Sequence, residues 1–181
     1  MTRRTSTFRI PGLLAAAALV AAPVLAQGNP FSTMIKAAWD NIKRNVAESA
    51  ALMPEADYGF KPTAKVRSFG ELVGHLANEH YVICSAVKGE KDPNTQDFEK
   101  VTGKAGLVKA LNDSIAYCDA VYAGMTDAQA TGMVKMFGED SSRAAGLNSN
   151  VTHDSEHYGN IVTYLRMKNL VPPSSARTGS M

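Results

Sequence analysis

Four stretches of this chain repeat apolar residues at intervals of three and four, and proline or glycine separates each stretch from the next. That period belongs to α-helices and not to strands, so the chain is constrained to bury helix faces against one another. The first stretch opens at Pro30, a residue favoured at the first helical position. It carries Phe31, Met34, Ile35, Ala38, Ile42, Val46 and Ala50 inward and ends at Met53 and Pro54. Trp39 borders this stripe and reads as a packing residue. The second stretch begins at Ser68, with Glu71 three residues later in the order of a capping box, and runs to Val87. The third sets Leu107, Val108, Leu111, Ile115, Cys118, Val121 and Tyr122 on one face and stops near Gly124. The fourth spans Ser141 or Ser142 to Lys168, with Pro172 and Pro173 behind it as a stop signal.

The expected fold class is therefore all-α, a four-helix bundle with long connections. Residues 88–103 exceed the roughly two to eight residues of a helical hairpin, which predicts a crossover that leaves helices two and three parallel. Residues 55–66, with Gly59 and Pro62, read as an ordered connection, and residues 126–140 as a loop whose Met133, Met136 and Phe137 cover the core, with part of a lid as the alternative.

Residues 1–26 have the layout of a cleavable signal peptide. Arg3, Arg4 and Arg9 form a basic start, an apolar centre follows, and Val24, Leu25 and Ala26 supply a small-residue cleavage site. The expected location is periplasmic or secreted. The apolar run is shorter than the roughly 20 residues of a spanning helix, so no membrane partner is expected after cleavage. Without the three signal arginines the basic count falls from 19 to 16, against 17 acidic residues. No basic stripe remains, and the electrostatic case for a nucleic-acid partner fails. Residues 27–175 make one domain of ordinary size, followed by a tail, residues 176–181, expected to be disordered. Cys84 and Cys118 are the only cysteines. They read as buried small hydrophobes or as one structural disulfide, and carry no chemistry.

The chemistry gathers at His153 and His157. Residues four apart on a helix face the same way with Cβ atoms about 5 to 6 Å apart, which suits two ligands of one metal ion. With His153 set at zero, Asn160 and Tyr164 extend a polar flank beside the apolar face of helix four. Helix two repeats the arrangement: His75 sits on the shoulder of its apolar face, while His80 lies about 140° away around the helix and reads as structural. Two such shoulders turned together make a polar pocket at the edge of a bundle core. The candidate metal ligands are His75, His153 and His157, with a position left for water or substrate as catalytic sites keep. Zinc is the default, with nickel, iron or manganese as alternatives. Glu79 and Glu156 are the candidate catalytic carboxylates, either of which would orient a ligand, complete the shell or take a proton from water. Asp154 points toward the apolar side, as a support for a ligand or an interhelical contact.

The five residues from His153 to His157, with Glu156 between them, also read as HxxEH, the inverted zincin pattern in which the glutamate is a general base. That design takes its third ligand downstream, yet the 24 residues after His157 hold no Asp, Glu, His or Cys. A peptidase is therefore disfavoured. No phosphate loop, GxSxG or glycine-rich cofactor fingerprint is present.

The order of these features resembles the DinB-like family of metal-dependent four-helix-bundle proteins, which is unrelated to the DNA polymerase of similar name. The likeness runs from Trp39 through Pro54 to Pro62, Arg67 to Ala77, Thr152 to Arg166, and Val171 to Ser175; residues 88–139 carry little of it. The resemblance implies that His75, His153 and His157 are the metal ligands. It also implies activities of two kinds: transferases or isomerases that use a low-molecular-weight thiol, and proteins with no assigned reaction. Export favours a hydrolase working on a small-molecule substrate, because thiol cofactors are scarcer outside the cytoplasm. The alternatives are a non-catalytic bundle that binds metal or a small ligand, with Glu79 as a fourth ligand closing the shell, and a homodimer formed through the polar shoulders.

Overall fold

The computed structural model describes residues 28–178. The signal-peptide expectation for residues 1–26 and the tail residues 179–181 lie outside them. Four long helices, α1 (Pro30–Leu52), α2 (Phe69–Lys88), α3 (Lys104–Gly124) and α5 (Arg143–Met167), form the bundle. Between the last two lie a one-turn helix α4 (Asp127–Ala130) and a hairpin of β1 (Met133–Met136) and β2 (Glu139–Ser142), and α6 (Pro173–Thr178) closes the described chain. No described helix is long and apolar enough to cross a membrane.

Local chemistry sets the helix ends. Pro30 occupies the first turn of α1. At α2 the capping box closes in both directions: Glu71 N donates to Ser68 Oγ (3.1 Å) and Ser68 N to Glu71 Oε2 (2.6 Å). Lys61, also bonded to Glu71, and the Ser68 amide hold this carboxyl down at about 2. Gly89 ends the helix at φ 77°, a left-handed conformation that glycine adopts without a Cβ clash.

Helix direction can be read from the contacts. His80 meets Ser114 and Cys84 is joined to Cys118, so residue numbers rise together and α2 and α3 are parallel. Residues 89–103 are the crossover this requires. Arg67 meets Tyr164, and His75 meets His153, so α2 and α5 are antiparallel. Lys104 donates to the carbonyls of Ala51 and Met53 while Trp39 and Lys43 reach Asp119, which makes α1 and α3 antiparallel as well.

Trp39 is the hub of the core. It is fully buried, stacks on Tyr122 with ring centroids 5.0 Å apart, sets its edge against His80, and donates Nε1–H to Asp119 Oδ1 at 2.7 Å. Because Trp39 sits at its centre, the buried stripe of α1 is rotated from the expected one. Met34, expected to be inward, lies about 140° around the helix from Trp39 and is 61% exposed. Cys84 and Cys118, both fully buried, form a disulfide with Cα atoms 5.5 Å apart.

Two further expectations are corrected. The stretch 126–140 is not all loop: Thr126 caps α4 by accepting from Gln129 N, and Phe137 and Gly138 turn the hairpin with φ of 51° and 88°. Paired positive φ values are those of a two-residue turn matched to strand twist. Only Met136 of the three expected covering residues is buried, since alternation along β1 and the turn itself leave Met133 and Phe137 facing outward. The tail expectation fails for residues 176–178, which are helical in α6. That helix is tied down by Ser174 N donating to Tyr158 Oη, and by Arg177 bonding to Asn45 and Glu48 of α1.

Candidate metal centre

The antiparallel pair α2 and α5 brings the three predicted histidines together. His75 Nε2 lies 3.2 Å from His153 Nε2, which lies 3.1 Å from His157 Nε2. The potential ligand atoms all fall within 4.8 Å of one another. Three imidazole nitrogens aimed at one point repel unless a cation or shared protons lie between them. Tetrahedral zinc, bound at about 2.0 to 2.1 Å, spaces its nitrogens about 3.3 Å apart. The side chains present therefore fit a divalent cation.

Each ring has a different neighbour behind it. His75 Nδ1 lies 2.9 Å from Glu99 Oε1, and Glu99 in turn accepts from Arg67 Nε (2.9 Å) and Nη2 (3.3 Å). A carboxylate behind Nδ1 fixes the tautomer that leaves the Nε2 lone pair facing the site. The Asn160 amide lies 3.4 Å from His157 Nδ1. His153 Nδ1 is buried without a hydrogen bond, 3.9 Å from Asp154 Oδ1.

Asp154 is itself engaged elsewhere. Its two oxygens lie 3.1 and 3.0 Å from His80 Nε2, and His80 Nδ1 lies 2.9 Å from Ser114 Oγ, whose hydroxyl donates to the Leu111 carbonyl. All three side chains are fully buried. Burial alone would raise the Asp154 carboxyl, but the facing His80 and His153 outweigh it and hold it below its usual range. A buried polar group needs such a partner, and this chain ties α2, α3 and α5 together directly behind His153.

The site favours neutral imidazoles. Burial, then the facing His153 and His75, lower His157 to about 4. Burial and the Arg67 charge also lower His75, against the opposing pull of Glu99. Neutral imidazole is the form that binds metal.

The predicted carboxylates are placed differently. Glu79 is half-buried on α2 and Glu156 is exposed on α5, and neither hydrogen-bonds to the triad. The carboxylate that does hydrogen-bond to a histidine of the triad, Glu99, escaped the sequence reading. It lies 24 residues from His75, in a 3-10 turn (Phe98–Lys100) of the crossover. The one signal for it was Gly74. A Cβ there would fall 2.3 Å from the Phe98 carbonyl oxygen and 2.8 Å from Glu99 N, so glycine is what lets the turn lie against α2. Asn78 fastens the same turn, accepting from Phe98 N and donating to Asp97.

Beside His157 a cleft of about 570 Å3 opens to solvent, with Lys65, Arg67, Leu72 and Tyr164 in its walls. Tyr164 Oη donates to the Arg67 carbonyl at 2.6 Å and so fixes the backbone of this edge.

A bundle with a crossover between α2 and α3 and three histidines meeting across α2 and α5 defines a class of metal-site helical proteins. The DinB superfamily model matches residues 38–161, most of the chain, and the chain belongs to that superfamily. No curated protein matches it. Among solved structures, a DinB-like protein from Bacillus cereus superposes with a TM-score of 0.67 at 16% identity, covering 77% of this chain and 93% of that one. YfiT from Bacillus subtilis, described as a probable metal-dependent hydrolase with an unusual four-helix bundle topology, gives 0.62 at 13% identity, covering 82% and 94%. A mycothiol-dependent maleylpyruvate isomerase gives 0.60 at 13% identity over 72% of this chain and 60% of that one. At these identities the likeness establishes the fold.

Proposed function

We propose that the protein is an exported metal-dependent hydrolase of small molecules, with zinc held by His75, His153 and His157. The carrying observation is the convergence of the three Nε2 atoms beside an open cleft. Three protein ligands leave a coordination position free, the arrangement of catalytic rather than structural sites. A cation bound there would supply Lewis-acid chemistry, polarising a substrate carbonyl and activating water at neutral pH. The chain's own part is to hold that centre. Glu99 orients His75, the buried His80–Asp154 pair stiffens the helix junction behind His153, and Leu72 and Tyr164 wall the cleft. The description of YfiT as a probable metal-dependent hydrolase supports this reading. Hydrolysis needs no thiol co-substrate, which favours it over transfer for a protein carrying the signal-like start of residues 1–26.

Metal analysis of the purified mature chain, followed by a screen of esters, amides and thiol conjugates, tests the proposal. About one zinc per chain is expected, together with a turnover that His153→Ala removes. Unchanged turnover in that variant would sink it.

A further inference from the structure

The cleft beside His157 carries its own chemical signature. Its walls hold two cationic side chains, Lys65 and Arg67, and no acidic one. Lys65 is exposed and makes no ion pair among the described residues, whereas Lys61, four positions earlier, is committed to Glu71 at 2.8 Å. Arg67 spends Nε and Nη2 on Glu99, which leaves Nη1 without a hydrogen bond. Glu99 thus holds the guanidinium plane in place on one edge, and Tyr164 pins the backbone that carries it. Such a preorganised planar fork is suited to a carboxylate. Pro62, Val66 and the buried Leu72 form the apolar part of the wall, and Asn160, Tyr164 and His157 complete it. The volume, about 570 Å3, lies within the roughly 300 to 1,000 Å3 of small-molecule sites.

We propose that this cleft binds a small carboxylate with an apolar body, the carboxylate held by Lys65 and the free edge of Arg67 and the body lying along Pro62, Val66 and Leu72. The substrate class is then an amphipathic organic acid whose reacting group is delivered to the three histidines. This deepens the hydrolase reading and rests on it for the reaction, but not for the binding.

Isothermal titration calorimetry with benzoate, its neutral isostere benzamide, and phenyl phosphate tests the proposal on both zinc-loaded and metal-free mature chain. Benzoate is expected to bind both forms, with benzamide about tenfold weaker or worse, as loss of a charge-assisted hydrogen bond implies. Lys65→Gln, an exposed substitution, is expected to weaken benzoate about three- to tenfold with zinc uptake unchanged; adding Arg67→Gln is expected to remove binding. Equal affinity for benzamide would overturn the proposal. So would benzoate binding that requires zinc and ignores Lys65→Gln, since the metal alone would then be the receptor. Tighter binding of phenyl phosphate would overturn the carboxylate assignment. Failure to take up zinc would count against the hydrolase reading only, because the metal-free titration still decides this one.

Discussion

His157 and His75 both sit below the ordinary histidine range, His157 at about 4, because burial disfavours the imidazolium form. Between about 4 and about 6.5, the value of a free imidazole, the unfolded chain binds more protons than the metal-free folded one. Folding stability must then fall as pH drops through that window and level off above it. Urea titrations of metal-free protein from pH 7.5 to pH 4 should show this slope, and His157→Ala should flatten it. Zinc should extend the stable range downward until protons displace it. A flat profile would mean that the rings are more hydrated than their burial indicates.

Single elements decide how the ligands are held. Gly74→Ala is a sharp test of the crossover turn. On helix propensity alone it would stabilise α2 by about 1 kcal/mol, but its methyl group would meet the Phe98 carbonyl and drive the turn that carries Glu99 away from His75. Zinc affinity is expected to fall about 10- to 100-fold, as when a carboxylate behind a ligand is lost, and competition with a chromogenic chelator would measure it. The long helices were legible from their apolar stripes, and three of them from a start signal as well: Pro30 for α1, the Ser68 and Glu71 box for α2, Ser142 for α5. The triad was legible because His153 and His157 share a helix face and His75 lies on a matching shoulder. The Phe98–Lys100 turn was not, since its position depends on what α2 leaves room for, and nothing periodic marks it. The hairpin escaped for a different reason. Its turn places Phe137, not the usual Asn or Asp, at positive φ ahead of Gly138.

Across the whole molecule, α2 is the member to which α3 and α5 are both fastened. It shares the disulfide with α3, the histidine cluster with α5, and the crossover turn with the chain between. The disulfide closes a separation of 34 residues, for which the chain-entropy model gives about 3 to 4 kcal/mol of stability. Replacing both cysteines with alanine should lower the melting temperature by roughly 10 °C, read by circular dichroism, with zinc stoichiometry retained. A change under about 1 kcal/mol would mean that the parallel packing of α2 and α3 is already enforced by the core. The parallel arrangement also bears on the order of assembly. His153 and His157 are neighbours on one helix and can capture a cation while the rest of the chain is loose, but His75 lies 78 positions before His153. Oxidation of Cys84 and Cys118 removes most of one intervening segment from that path, and closing a shorter loop costs less entropy, about 0.6 kcal/mol for each halving. With a divalent cation at the three histidines, a chain oxidised before it meets the cation would bring His75 to it more readily than a reduced one, which would make oxidation the natural first step of maturation.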